Sequence, residues 1–317
     1  MTGVARRWDP VPAGQVAAAI DLGTNTLLMT VGRAGADGRA EILDDLHAIA
    51  RLGQGVDAAR RIAPAALERV AVLLQRCRRR AEELGAAQVQ AFGTSALRDA
   101  ANRDEFIAAV AQRTGVSLQV LSGQEEAGLT FRGAAFGLEL PDRYAVLDIG
   151  GGSTELAVGA GARLEQSASV DVGAVRLAER HFPCLPPTPA QRQAAAQTVR
   201  QVLTGLFSLP PDVPLVGVAG TVTTLGAMDL GLTAFDAEAL NGHLLPAARV
   251  HALSGQLLSL PYEAIRQIPQ VSEQRADIIG AGSLILDTFL RTWECPGIVV
   301  STRGIRYGLL ERLLGLA

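Results

Sequence analysis

Three features of this sequence predict an α/β fold built from two related half-domains that face a cleft: a duplicated aspartate hairpin, short apolar strands alternating with amphipathic helices, and a fresh start of that alternation near residue 140. The duplication is the clearest. AAIDLGTNTLLMTVG at 18–32 aligns with AVLDIGGGSTELAVG at 145–159, pairing Asp21 with Asp148, Gly23 with Gly150, Val31 with Val158 and Gly32 with Gly159. One mismatch introduces an acid, where Leu28 aligns with Glu155. In each copy an apolar run enters an aspartate, a turn of glycine or small polar residues, and a second run ending in glycine, which reads as a β-hairpin. Such turns bare backbone N–H groups that suit phosphate oxygens. An ordinary glycine-rich hairpin explains one copy. Two copies in register, each with an acid at the same place, point to a phosphate or nucleotide cleft.

The remaining elements follow in order. Strands are expected near 41–51 and at 88–92, with a helix at 64–84 between them and another at about 95–114. A strand at 116–121 and a helix at about 124–137 precede the second hairpin, which opens after the turn-forming Pro141-Asp142. Beyond it come a helix near 188–207, a strand at 214–219, a helix from about 222, further helices between 246 and 291, and a strand at 297–301. The prolines of FPCLPPTP at 182–189 impose a loop.

Composition excludes several chemistries. A chain of 317 residues, 48% hydrophobic and 19% charged, is long enough for two domains with cores of their own. Arg6-Arg7 resembles a twin-arginine signal, but the WDPVPAGQ that follows is polar and broken by prolines. IIGAGSLILDTFL at 278–290 carries Asp287 and is too short to span a bilayer, so no membrane association is expected. Cys77, Cys184 and Cys295 are far apart and lack CxxC spacing, which argues against disulfides and zinc and for a reducing cytoplasm. His47, His181, His243 and His251 form no HD pair and no HxxxH, so a catalytic metal must rest on oxygen ligands, as Mg²⁺ or Mn²⁺ does. All 29 basic residues are arginine, which removes P-loop and Schiff-base chemistry. A net charge of −3 gives no broad positive field for nucleic acid. The RCRRR run at 76–80 reads as a solvated face near a helix C-terminus.

Two helix starts and one helix face carry candidate chemistry. Ser122 and Glu125 form an S-x-x-E capping box, which gives Glu125 a structural job and leaves Glu126 without one. Positions 126, 130, 133 and 137 share a face, occupied by Glu126, Thr130, Gly133 and Gly137, and this polar or small face suits a cleft wall better than a core contact. FGTSALR at 92–98 places Thr94 and Ser95 at a strand-to-helix junction, where free N–H groups favour phosphate, with Arg98 one turn on. LVGVAGTVTTL at 215–225 repeats the plan with Gly220, Thr221, Thr223 and Thr224. Simple N-capping explains either turn alone.

The set AAIDLGTNT (18–26), GTSALRDA (93–100), LSGQEEA (121–127), DIGGGSTEL (148–156), AGTVTTL (219–225), RADIIGAG (275–282) and STRGIRYGLL (301–310) resembles the exopolyphosphatase/guanosine pentaphosphate phosphohydrolase family, within the sugar kinase and actin-like ATPase superfamily. The likeness runs nearly the whole length. It implies two actin-like, ribonuclease H-like domains: 1–138 with the C-terminal segment about 302–317, and 139–301, with no C-terminal HD-type domain. It further implies that Glu126 is the general base for the attacking water and that Asp148 and Glu155 hold a divalent metal, Mg²⁺ or Mn²⁺. Phosphates are expected to contact Arg98, Thr94, Ser95 and three loops: Asp21, Gly23, Thr24, Asn25 and Thr26; Gly150, Gly151, Gly152, Ser153 and Thr154; Gly220, Thr221 and Thr223. Thr302 and Tyr307 depart from residues common in the family, which bears on C-terminal packing.

The expected activity is an exopolyphosphatase releasing orthophosphate from polyphosphate ends, with short chains preferred because long members of the family carry extra C-terminal domains. Guanosine pentaphosphate phosphohydrolysis is the close alternative. A superfamily kinase would have no reason for the SGQEEA glutamate, and a phosphate sensor without turnover is the third possibility. A homodimer is expected by analogy only.

Overall fold

The computed structural model describes residues 10–210 and 212–316. The Arg6-Arg7 pair weighed above as an export signal lies outside the described residues. Among the described residues no helix is long and apolar enough to cross a membrane.

Among the described residues eleven strands form two sheets. The first comprises β1 (Val16–Leu22), β2 (Thr26–Ala34), β3 (Ala40–Ile49), β4 (Ala86–Gly93) and β5 (Leu118–Val120), in the order β3-β2-β1-β4-β5. The second comprises β6 (Arg143–Ile149), β7 (Thr154–Ala160), β8 (Arg163–Val170), β9 (Leu215–Val218), β10 (Leu244–Pro246) and β11 (Gly297–Val300), in the order β10-β11-β9-β6-β7-β8. In each sheet the first three strands form an antiparallel meander, and two later strands continue parallel to the first. The second sheet adds only the antiparallel edge strand β10. This is the duplicated α/β arrangement that the repeat implied.

Register turns the repeat into geometry. Asp21 lies directly across from Leu28 in β1–β2, and Asp148 lies directly across from Glu155 in β6–β7. Opposed residues share a sheet face, so the mismatch that brings in Glu155 becomes a cross-strand pair of acids.

The helix Gly123–Ala134 links the two sheets. One face seats Phe131, Ala127 and Ala134 against Tyr144, Val146 and Val216 of the second sheet, with the Phe131 and Tyr144 rings stacked 4.5 Å apart. Leu129 joins Ala17, Ala19, Phe92 and the C-terminal helix Ile305–Leu313 in a cluster on the first sheet. Tyr307, one of the departures noted above, is buried, and its hydroxyl donates to Asp45 at 2.6 Å.

Several sequence expectations need correction. The helix expected over 95–114 is two helices, Ser95–Asp99 and Arg103–Thr114, because Ala100 turns extended and Asn102 bonds both the N–H and the C=O of Ile62. The helix expected from 222 begins at Ala219, with Ala219 itself at φ 68. β8, the two-turn helix Ala174–His181 and the helix Ile305–Leu313 were not anticipated. Gly133 is not part of a cleft wall. Its small size serves packing, since a Cβ there would strike the backbone of Gly304 and Gly308. Gly308 is equally tight against the carbonyl of Leu129, which no side-chain motion can relieve. Gly308→Ala is therefore expected to destabilise by about 1–3 kcal/mol in chemical denaturation, the usual cost of overpacking.

Candidate active site

Both hairpin turns close in the same way. The N–H of Gly23 donates to the carbonyl of Thr26 at 2.8 Å, and that of Gly150 to the carbonyl of Ser153 at 3.0 Å. Between these bonds the amides of Thr24, Asn25, Gly151 and Gly152 have no acceptor among the described residues, as the phosphate reading requires. The turns also meet. A Cβ on Gly152 would lie 2.5 Å from Ser95 Oγ and 3.0 Å from Thr24 Oγ1, and one on Gly151 would lie 2.9 Å from Thr24 Cβ. Turns 23–26, 94–95 and 150–153 thus lie against one another, and glycine at 151 and 152 permits the close approach, since a Cβ at either would press on the Thr24 or Ser95 side chain.

Simple capping does not explain the Ser/Thr residues at the two other turns. No side chain caps the helix starting at Ser95 or the one starting at Ala219. The 220–224 turn belongs to a different neighbourhood: Arg275 donates to Gly220 O and Thr224 Oγ1, both at 3.1 Å, and Thr221 abuts Gly282. Its link to the other turns is the parallel pairing that sets Val218 beside Asp148. Burial lowers the Arg275 guanidinium to about 10. RADIIGAG marked this segment in the sequence, although nothing there assigned Arg275 a contact.

The acids gather around the second hairpin. Ser122 caps its helix, accepting from Glu125 N at 3.2 Å while Glu125 Oε2 accepts from Ser122 N at 2.9 Å, so Glu125 is occupied as the capping box predicts. Glu126, one residue on, turns inward. It is 8% exposed and pairs with Arg98 at 2.5 Å. Arg98 also donates to Leu121 O at 3.1 Å and Ser153 Oγ at 3.4 Å, and lies 3.8 Å from Glu155. Glu155 accepts from Ser169 Oγ at 2.7 Å, and Thr130 lies 3.5 Å from Asp148.

Burial raises the pKa of each acid here. It pushes Asp148 up to about 7, helped by the charge of Glu126, and holds Glu155 well above the usual range, helped by Glu126 and Asp148. Asp21 is likewise held well up by burial, then by Glu126 and Asp148. Glu126 is raised by burial against the opposing pull of Arg98. Four carboxylates so placed, with Arg98 alone in ion-pair contact, want positive charge.

A divalent cation fits the donor set. Among the described residues Asp21 Oδ1 and Glu155 Oε2 are buried without a hydrogen-bond partner, a costly condition that a cation relieves. All candidate donors are oxygens, which suits Mg²⁺ or Mn²⁺. Among the described residues no three His, Cys, Asp or Glu side chains converge into a complete cage. Mg²⁺ commonly takes one or two carboxylates and completes its shell with water and substrate phosphate, so a carboxylate pair such as Asp148 and Glu155 suffices.

Comparisons with known proteins agree with this geometry. The model of the Ppx/GppA phosphatase family matches residues 31–317. Exopolyphosphatase 2 of Mycobacterium tuberculosis is 36% identical over 314 residues, covering 94% of this chain and 98% of that protein. Among solved structures, an exopolyphosphatase from Cytophaga hutchinsonii superposes with a TM-score of 0.86 at 26% identity, covering 95% of this chain and 98% of the other. The Aquifex aeolicus member of the Ppx/GppA family gives 0.79 at 28% identity, covering 93% and 96%. With a family model matching nearly the whole length and a relative 36% identical over 94% of it, this chain belongs to the Ppx/GppA phosphatase family, hydrolases of phosphoanhydrides.

Proposed function

We propose that this protein is an exopolyphosphatase, releasing orthophosphate from the ends of inorganic polyphosphate by attack of water. The observation that carries the reading is Glu126: an acid buried against Arg98, beside the cross-strand Asp148–Glu155 pair and near the surface where the two hairpin turns meet Ser95. Phosphoryl transfer needs neutralised oxygens, a placed nucleophile and a stabilised leaving group. The free amides of Thr24, Asn25, Gly151 and Gly152 would hold terminal phosphate oxygens, and Asp148 and Glu155 would hold the cation. When bound, Mg²⁺ supplies charge neutralisation at the phosphate. Glu126 would take the proton from water. Arg98, once released from Glu126, would cover charge that builds on the transferred group.

We assign residues 10–138 and 302–316 to one lobe and 139–301 to the other, with the substrate between them. Polyphosphate is favoured over guanosine pentaphosphate by the likeness to proteins named exopolyphosphatase. The test offers the protein with Mg²⁺ tripolyphosphate, long-chain polyphosphate and guanosine pentaphosphate at equal concentrations of chain ends, and measures released phosphate. A kcat/KM for either polyphosphate at least about tenfold above that for guanosine pentaphosphate is expected. The reverse ranking would assign the site to the nucleotide.

A further inference from the structure

The helix Ala174–His181, absent from the sequence expectations, lies directly behind the second phosphate turn and grips it by its carbonyls. Ala174 N donates to Gly150 O at 2.9 Å, Val175 N and Arg176 N donate to Gly151 O at 2.8 and 3.1 Å, and Arg176 Nε donates to Gly152 O at 2.7 Å. In a planar trans peptide the C=O of one residue and the N–H of the next point in opposite directions. Pulling three successive carbonyls backward therefore aims the amides of Gly151, Gly152 and Ser153 forward. The helix backbone orients the first two. Among the described residues only the Arg176 side chain orients the third.

The same guanidinium reaches across to the other lobe. It pairs with Asp57 at 2.5 Å and with Asp99, and its Nη2 lies 3.5 Å from Ser95 Oγ. Asp57 ends a segment whose Gly53 N–H donates to Thr24 O at 2.8 Å, so this contact also braces the first hairpin turn. Arg176 is 5% exposed, and its charge is met by two acids and a carbonyl, as a buried cation requires.

We infer that Arg176 is a positioning residue, which aims the Ser153 amide and fixes the turns at Thr24, Ser95 and Gly152 against one another before substrate arrives. The inference rests on the phosphate-cradle reading above. Arg180 supplies the contrast. It too pairs with Asp57, at 2.6 Å, but it is half exposed, and among the described residues its hydrogen bonds go to Asp57 and not to the turns. If a cross-lobe ion pair were all that mattered, Arg180 would serve equally. A lysine at 176 would keep the charge, yet a single ammonium cannot reproduce the planar fork that reaches both acids and the carbonyl together.

The experiment compares Arg176→Ala, Arg176→Lys and Arg180→Ala with the native protein, measuring kcat and KM for tripolyphosphate with Mg²⁺, thermal melting, and hydrogen exchange at the amides of residues 174–176. Arg176→Ala is expected to raise KM by about tenfold or more and to lower kcat as well, since misplaced donors weaken both binding and attack geometry. Arg176→Lys should recover most of the melting temperature while KM stays raised. Arg180→Ala should change KM and kcat by less than about twofold. Exchange at 174–176 should quicken in both Arg176 variants, because their acceptors are the turn carbonyls. A folded Arg176→Lys or Arg176→Ala with native KM and native exchange overturns the inference. A native protein that hydrolyses none of the phosphate substrates overturns the functional reading instead, and the exchange result then decides the role of Arg176 alone.

Discussion

Glu126→Gln is expected to lower phosphate release from tripolyphosphate by about 10²–10⁴-fold while leaving KM little changed, the range covered by the loss of a general base. Glutamine keeps the shape of the side chain and an oxygen for Arg98, which now sits 2.5 Å from the acid. What it loses is the ability to accept a proton. The fold should tolerate the change, because burial already disfavours charge at this position and a neutral amide suffers no such penalty. Glu125→Gln is the matched comparison. It keeps the reach of the capping bond from Ser122 N, so at most about 1 kcal/mol of stability is at stake and turnover should hold. A Glu126→Gln protein retaining more than about a third of native kcat would remove Glu126 from the proton transfer.

That contrast between neighbours was legible in the sequence because a capping box is local chemistry. Ser122 and Glu125 are three residues apart, and their bond needs nothing beyond one helical turn. The hairpin repeat was legible for a similar reason: antiparallel pairing has a period of two, so Asp148 and Glu155, equidistant from the turn, had to face each other. What could not be read depends on residues far apart along the chain. The break after Asp99 is fixed by Asn102 holding the backbone of Ile62, 40 positions away. Gly133 looked like open cleft wall because its partners, Gly304 and Gly308, return from the far end of the sequence. Arg176 stood in an apolar run, AVRLA, and an arginine there is the one signal that could have marked it. Its partners Asp57 and Asp99 lie 119 and 77 residues earlier, out of reach of any periodicity.

The same pairing logic sets the second large effect. Asp148→Asn and Glu155→Gln should each cut phosphate release by about 10²-fold or more, as loss of a cation's charge stabilisation at a transferring phosphoryl group does. Stability should move the other way. In metal-free protein Glu155 is buried, Asp148 is partly so, and the two repel each other, so either substitution should hold or raise the melting temperature. Mg²⁺ should then separate native from variant. A cation present at a hundred times its dissociation constant stabilises the native state by about 2.7 kcal/mol, which reads as a shift of several degrees, and the Asp148→Asn, Glu155→Gln double variant should show almost none of it. An equal Mg²⁺ shift in the double variant would place the cation elsewhere. Asp21, whose Oδ1 is also buried and unpartnered, is then the position to examine, and Asp21→Asn would carry the loss. The ordering follows from the rung on which the second hairpin gains an acid. Asp21 faces Leu28, which can donate nothing to a metal, whereas Asp148 faces Glu155 and gains a second carboxylate on the same face of the sheet. Two acids on one rung can share a cation that a lone aspartate opposite a leucine holds far less well.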